Sequence, residues 1–598
     1  MRSAEKILGI IRERGKRKLP LEDIYRQLYN PTLYLMAYAR LYSNAGAMTR
    51  GTTSETVDGM ALKKIEQLIE DLRHERFRWT PVRRTYILKK NGKLRPLGIP
   101  TWTDKLLQEA IRLLLEAYYE PQFSPHSHGF RPERGCHTAL REVEQTWTGS
   151  KWYVEGDIAQ CFDRLDHQVL VNILREKLHD NRFIRLIQQL LEAGYLEEWR
   201  YHSTMSGSPQ GGVVSPILSN IYLDQFDTFV EQEVLPMYTQ GEKRQRSAVY
   251  NRLRVREQYY RKQNNLEMAK ELRKQRQCLP ERDPLDPSYR RLRYLRYADD
   301  FGLGFAGPKE EAEEIKQKLK TFLRDHLKLE LSEEKTLITH ASTQAAHFLG
   351  YELRVQYRDD KRDRTDRRCI NGHVGLRVPA SVIEKKCALY MRRGKPHHRK
   401  ELMSDDDFSI IARYQSEYRG FVQYYQLAQN VSWLWKFHWI MRGSLLKTLA
   451  QKHKCRVTKI AQKYQTVVET EYGPMKCLEI TVPRAGKKPL VTRFGGIPLR
   501  RQNHAILSDM LVSIKRKPAR HELLKRLLAN ACELCQSTNQ VEVHHIRKLA
   551  DLGKPGQAEK PQWVRVMAAR RRKTLIVCRE CHQAIHAGRP TRVSLGQR

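Results

Sequence analysis

The sequence predicts a multidomain α+β protein, and three observations carry that expectation. The chain has 598 residues, too many for a single core, and 40% of them are apolar, enough to pack several. Short runs of alternating apolar residues, read as strands and hairpins, are interspersed with longer helical patterns. Near the C-terminus two Cys-x-x-Cys pairs mark a local metal site.

The elements follow in order. Residues 1–80 read as helical and polar, with the turn-forming cluster Thr52–Gly59 ahead of a helix over Met60–His74. Residues 82–100 read as a hairpin turning at Asn91-Gly92, and a helix follows over Lys105–Tyr119. A short strand over 151–158 ends at Asp157, and residues 166–200 read as helical. Residues 241–296 carry 17 Lys+Arg against 7 Asp+Glu, which suggests an inserted, exposed helical segment in contact with nucleic acid; solvated surface is the bland alternative. A hairpin over 292–305, a helix over 309–326, two short strands to about 355 and a charged linker over 358–368 come next. Residues 380–455 are helical and aromatic. Tyr414, Tyr418, Phe421 and Tyr425 share one helix face and read as the core of an α-bundle.

The net charge is +40, from 108 Lys+Arg against 68 Asp+Glu spread along the whole chain. That favours a polyanionic partner, and a nucleic acid over a membrane surface. No run of about eighteen apolar residues is present to span a bilayer. Glu5 and Glu13 in the basic N-terminus argue against an organellar transit peptide. Most of the 11 cysteines are scattered, which fits an intracellular chain rather than a disulfide framework.

Three motifs carry the first chemistry. Tyr297-Ala298-Asp299-Asp300 precedes the alternation Phe301, Leu303, Phe305, so the two aspartates sit in the turn of a rigid hairpin. Adjacent carboxylates repel, and a divalent cation relieves the repulsion with hard oxygen ligands. Asp157 would complete a three-carboxylate site for two Mg²⁺, one activating a primer 3′-hydroxyl and the other holding pyrophosphate. Phe162, five residues on, is placed to exclude a 2′-hydroxyl and favour dNTPs. Ser208-Pro209-Gln210-Gly211-Gly212 supplies small residues that let a backbone approach a base pair.

An Asp strand, a Pro-Gln-Gly loop and an Asp-Asp hairpin, in that order, resemble the A, B and C motifs of reverse transcriptases. Gly92-Lys93-Leu94-Arg95-Pro96, with Asp104-Lys105 and Gln108, and Gly129-Phe130-Arg131-Pro132-Glu133-Arg134-Gly135 resemble the fingers motifs of bacterial and group II intron enzymes. The resemblance implies that Lys93 and Arg95 bind the dNTP triphosphate and that Gln210 contacts the nucleotide. Leu331-Ser332-Glu333-Glu334-Lys335-Thr336 resembles the next motif, in which Lys335 would protonate pyrophosphate, and Phe348-Leu349-Gly350-Tyr351 resembles the primer grip. Asp157 and Asp299 are 142 residues apart, more than in compact members, because the basic insertion lies between them.

At the C-terminus, Cys532, Cys535, Cys578 and Cys581 read as one tetrahedral Cys₄ zinc site. His544 and His545 are adjacent on a strand and cannot share a face, so one can ligate while the other acts as a base. His582 and His586 are i, i+4 on a helix and face the same way. The set resembles an HNH, or ββα-metal, nuclease. The resemblance implies that His545 activates water while His544, His582 and His586 hold Mg²⁺ or a similar ion. The stretch 570–574 offers no Asn at the position such nucleases carry one. A DNA-binding zinc finger is the rival reading of this module.

Together these features resemble the protein encoded by a group II intron. The implied architecture is right-hand fingers and palm, an α-helical thumb (domain X) and a C-terminal ββα-metal HNH domain with Cys₄ zinc. Its expected divisions are an RNA-binding extension at 1–80, fingers and palm at 81–355 with the insertion at 236–294, and thumb and maturase at 356–480. A basic DNA-binding region at 481–525, which holds Arg500-Arg501 and Lys515-Arg516-Lys517, and the HNH module at 526–598 complete the chain. The resemblance implies reverse transcription of intron RNA, assistance to its splicing, and second-strand cleavage that primes copying. The implied cofactors are Mg²⁺ and Zn²⁺. The implied partners are intron RNA, double-stranded target DNA and dNTPs, in a bacterial cytoplasm and at the nucleoid. The alternatives are a splicing cofactor with no cleavage activity and a retroelement polymerase unrelated to introns.

Overall fold

The computed structural model describes residues 3–591 apart from 45, 89–91, 93, 199, 203–206, 208–210, 285, 365–367, 485–486, 508–521, 548–560 and 571. Asn91, Lys93, the loop 208–210 with Gln210, and Lys515-Arg516-Lys517 therefore lie outside the described residues.

Helices Ala4–Lys16, Pro31–Leu41 and Leu62–Arg73 open the chain. The second is set by Asn30, whose side chain accepts from the Thr32 N–H at 3.0 Å, and by Pro31 in its first turn, where a missing N–H costs nothing. The first two pack on helix Trp102–Tyr119, whose face of Leu106, Leu107, Ala110, Ile111 and Leu114 is buried, and the third packs on the second. The hairpin strands Val82–Leu88 and Leu94–Ile99 form a sheet with Tyr195–Glu197 and Arg200–His202. Those last two strands correct the helical expectation for 166–200. The helix ends at Glu192 because Gly194, at φ +75°, turns the chain, and Tyr195 then pairs in parallel with Val82.

The sheet at the place the resemblance assigns to the palm has the strand order Arg291–Tyr297, Asp300–Ala306, Trp152–Asp157, Leu337–His340, antiparallel throughout. Its inward residues Leu292, Tyr294, Phe301, Leu303 and Phe305 sit on helices Ser215–Phe229 and Lys309–Leu327. The basic insertion is a pair of helices, Ala248–Lys262 and Leu266–Gln277, closed at its base by a Gln240–Arg290 bridge. The expected C-terminal limits of that insertion, 294 and 296, overshoot into the palm strand Arg291–Tyr297.

Three strands rather than two lead to residue 355, ending with Ala346–Phe348 and Tyr351–Val355. Helices Asp407–Tyr424 and Trp435–Lys452 form the bundle that follows, and Tyr414, Tyr418 and Tyr425 are buried in it as expected. A three-stranded sheet, Gln465–Thr470, Gly473–Arg484 and Lys487–Gly495, packs on this bundle through Leu478 and Phe494 and runs through the expected boundary at 480. In the last module strands Val541–His545 and Thr574–Cys578 pair antiparallel ahead of helix Arg579–His586.

This module is not a separate body. Leu523, Leu524, Leu527, Val541, Val543 and Ile576 belong to the same hydrophobic core as Tyr38, Met60 and Trp102. The N-terminal segment pairs with the module directly: Gly59 N–H donates to Val543 O and Val543 N–H to Met60 O, both at 2.9 Å. Among the described residues no helix is long and apolar enough to cross a membrane.

Candidate functional site

The palm register sets Asp157 opposite Asp300, and Tyr297 opposite Asp300 closes the turn through Ala298 and Asp299. Ala298 takes φ +56°, which aims the turn at the sheet end. Burial, reinforced by the charges of Asp299 and Asp157, pushes the Asp300 carboxyl up to about 7. Burial likewise raises Asp299, partly offset by the positive charges of Arg95 and Lys335. Lys335 donates to Asp157 at 2.8 Å, and that bond raises the lysine. Carboxylates crowded in this way hold their charge more readily beside a cation, and their oxygens are the donor type that hard divalent ions take. Phe162 is half-buried in the short helix Cys161–Arg164, edge-on to Phe130 at 6.2 Å.

The bracing of the turn was not anticipated from the sequence. Arg296, fully buried, donates from Nε and Nη2 to the two oxygens of Asp227 at 2.7 and 2.6 Å, and from Nη1 to the Ala298 carbonyl at 2.9 Å. Tyr294 donates to the same aspartate at 2.6 Å. On the other side His128 N–H donates to Arg296 O and Arg296 N–H to His126 O, both at 2.9 Å. Gly129 then lies so close to Ala298 that a Cβ would come within 2.4 Å of its backbone nitrogen. A larger residue there would displace the carboxylate turn. Gln108 is buried and accepts from the Val213 N–H at 2.8 Å, bracing the loop that begins at Gly211. An arginine at an inward position of an apolar strand was the one sequence signal for this network.

At the other end, Cys535 Sγ lies 3.7 Å from both Cys578 Sγ and Cys581 Sγ, and Cys532 joins them in one cluster. Four thiolates about 2.3 Å from a tetrahedral ion are separated by roughly 3.8 Å, so these residues fit zinc.

His544, His582 and His586 also converge. His582 Nε2 is 3.1 Å from His544 Nδ1 and 3.0 Å from His586 Nε2. Asp58, which the sequence reading treated only as part of a turn, is among them. Its Oδ1 is 3.2 Å from His582 Nε2 and 3.4 Å from His544 Nδ1, and its Oδ2 is 2.8 Å from His586 Nε2. Burial works against the charge on Asp58, but bonds from His544 and His582 outweigh it and hold the carboxyl well below its ordinary range. Burial also disfavours charge on His582, yet Asp58 and Glu542 lift it to about 9. Glu542 takes the other ring nitrogen of His582 at 2.9 Å, which fixes the ring. Strand alternation sends His545 away from this group. It is buried against the Tyr42 ring, 5.9 Å between centroids, and its backbone N–H donates to Asp58 at 2.7 Å. Burial lowers it to about 4, which leaves it neutral. In the strand pairing it stands opposite Thr574.

Three family models match the chain: Reverse transcriptase (RNA-dependent DNA polymerase) over residues 87–353, Type II intron maturase over 377–481, and AI2M/AI1M-like HNH endonuclease over 532–582. The chain is 39% identical over 584 residues to the group II intron-encoded protein LtrA of Lactococcus lactis subsp. cremoris, covering 94% of this chain and 95% of that one. It is 33% identical to the 91 kDa protein in cob intron of Schizosaccharomyces pombe, over 95% of this chain and 70% of the other. To protein YkfC of Escherichia coli K12 it is 31% identical, over 56% and 84%.

Proposed function

Since the chain belongs to the group II intron-encoded proteins, and is a reverse transcriptase, maturase and HNH endonuclease in one, we propose how its residues divide that work. Asp157, Asp299 and Asp300 would hold two Mg²⁺, which supply acidity at the primer 3′-hydroxyl and neutralise the departing pyrophosphate. Lys335 restrains Asp157 until nucleotide arrives and then gives its proton to pyrophosphate. Arg95, with Lys93, receives the triphosphate, Gln210 contacts the nucleotide, and Phe162 excludes the 2′-hydroxyl. The pairing of Asp157 with Asp300, with Asp299 next in the turn and Lys335 on Asp157, carries this reading.

The four cysteines hold structural zinc. His544, His582 and His586 hold the nuclease ion, and His545 activates water. Three imidazoles suit a first-row transition ion better than Mg²⁺, which prefers an oxygen shell, and Mn²⁺ serves as the spectroscopic stand-in for such a dication.

Intron RNA meets residues 1–80, the thumb and the insertion. Two features support RNA contact. The insertion walls a cleft of 780 Å³ lined by Arg244, Arg246, Arg254, Arg273, Tyr250 and Tyr289. On the thumb, Trp435 and Trp439 are 58% and 59% exposed one turn apart on a helix, placed to stack on unpaired bases. The region 481–525 tracks target DNA phosphates. In a bacterial host the cytoplasm, at the nucleoid, is the site of action.

The test is a duplex target given to the RNA–protein particle with dNTPs. Wild type should cut the second strand and extend it. Asp299→Asn should cut without extending, and His545→Ala should do neither on intact duplex yet copy RNA from an annealed primer. Normal cutting by His545→Ala would reduce the C-terminal module to a DNA-binding finger.

A further inference from the structure

The nuclease histidines do not stand alone, because a carboxylate from the N-terminal region lies among them. We infer that Asp58 is a direct ligand of the nuclease's divalent cation, so that the metal site is complete only while the N-terminal segment is docked on the C-terminal module. The inference rests on the reading of His544, His582 and His586 as ligands.

Two independent features carry it. The first is donor geometry. The spacings His582–His586 of 3.0 Å and His582–His544 of 3.1 Å, with Asp58 Oδ1 3.2 Å from His582 and 3.4 Å from His544 and its Oδ2 2.8 Å from His586, lie within a few tenths of an ångström of about 3.0 Å, the edge of an octahedron with ligands near 2.1 Å. One donor atom from each of the four residues would leave two positions of a six-coordinate ion for a scissile phosphate and a water. Asp58, His544, His582 and His586 each place one donor atom within 4.8 Å of every other, a spread that a single dication can bridge.

The second feature is the way Asp58 is held. The backbone on its C-terminal side is fixed to the nuclease strand by the reciprocal Gly59–Val543 and Val543–Met60 hydrogen bonds, and Met60 is fully buried behind it. The His545 N–H donates to Asp58 Oδ1 at 2.7 Å and so orients the carboxylate as an outer partner orients a ligand. Arg547 reaches the same region, donating to Met48 O at 3.2 Å. The contact is thus a built junction between the two ends of the chain. Metal binding and docking are thereby linked: the ion favours the docked arrangement, and docking raises affinity for the ion.

The test is Mn²⁺ titration of the full-length, zinc-loaded protein, followed by the electron paramagnetic resonance signal of free Mn²⁺. The polymerase site is silenced by Asp157→Asn, Asp299→Asn and Asp300→Asn. One site should remain. Asp58→Asn, which keeps an oxygen for the His545 N–H, should weaken it at least about tenfold, as His586→Ala should, with zinc content unchanged in both. Amide exchange at Gly59 should slow when Mn²⁺ is added to the parent and not to Asp58→Asn, a readout that survives if a variant folds poorly. If Asp58→Asn binds Mn²⁺ like the parent while His586→Ala does not, or if Mn²⁺ leaves Gly59 exchange unchanged in the parent, Asp58 is only a docking contact and the inference falls. If His586→Ala also binds like the parent, the reading of the histidines as ligands fails, and the inference with it.

Discussion

Asp157 and Asp300 stand on neighbouring strands of one antiparallel sheet, a single register pair sets their meeting, and Asp299 comes with them in the adjoining turn. Asp58 reaches its histidines from 524 residues before His582 and 528 before His586, across a junction between the ends of the chain. The first centre is set by strand pairing within one sheet and braced from behind by Arg296 and Asp227. The second needs a core that spans two domains. Two sites of similar size can therefore differ in what they depend on: one survives as long as its sheet does, and the other depends on how two modules sit together.

The sharpest way to break that contrast is Cys578→Ser. Losing one thiolate of four should unfold residues 530–590, release zinc and abolish duplex cleavage. Primer extension on an annealed template should persist, and its loss would show that the polymerase also leans on the junction. Asp299→Asn runs the other way. Primer extension should fall at least about a hundredfold while cleavage and zinc content hold.

Next in size is Arg296→Leu, which strands the Asp227 carboxylate in a dry core. Removing one partner of such a pair costs about 3–5 kcal/mol. The urea midpoint of the palm should drop, with nuclease zinc unchanged. A midpoint at the parent value would mean that the pair does not brace the carboxylate turn.

A control lies in the helical bundle of Asp407–Tyr424 and Trp435–Lys452, which holds neither centre. Burial, and secondarily Arg442, lowers His438 from 6.5 to about 4, where it stacks on Phe494. Its folded form is neutral while the unfolded chain takes up a proton below 6.5, so the stability it contributes is complete above 6.5 and is lost as pH falls from 6.5 toward 4. His438→Phe should flatten the thermal-melting profile over that window, and an unchanged profile would remove His438 as the cause.

The smallest effect is in the insertion. Changing Arg246, Arg254 and Arg273 to Gln should make the dependence of log RNA affinity on log salt shallower, by roughly 0.7–0.9 per lost phosphate contact, without moving either activity on naked substrates. An unaltered slope would leave the insertion as solvated surface.

The hairpin was legible because alternation at Phe301, Leu303 and Phe305 dictates a strand, and a strand dictates where the next carboxylate points; that strand is buried on both faces rather than one, because Trp147 covers Gly302 and Gly304. The histidine spacing of the last helix was legible for the same reason. Strands 195–202 were missed because Gly194 alone marks where an apolar helix stops. Arg296 was missed because its partner, Asp227, lies on a helix far along the chain. Asp58 was missed because Thr52–Gly59 has the composition of any turn. Its role depends on the docking of Met60 and Val543, and pairing between distant segments leaves no periodic trace in either.

Leu523, Leu524 and Leu527 sit in the core shared with Tyr38 and Trp102, and each buried leucine contributes about 1.5–3 kcal/mol. A polymerase trimmed of its nuclease for use as a reagent would therefore carry an oily scar where helix Glu522–Leu528 had covered helix Pro31–Leu41. Such a scar invites self-association during expression. Trimming the enzyme is thus a problem of resurfacing, to be solved with polar replacements on the uncovered helix rather than by the choice of a cut point.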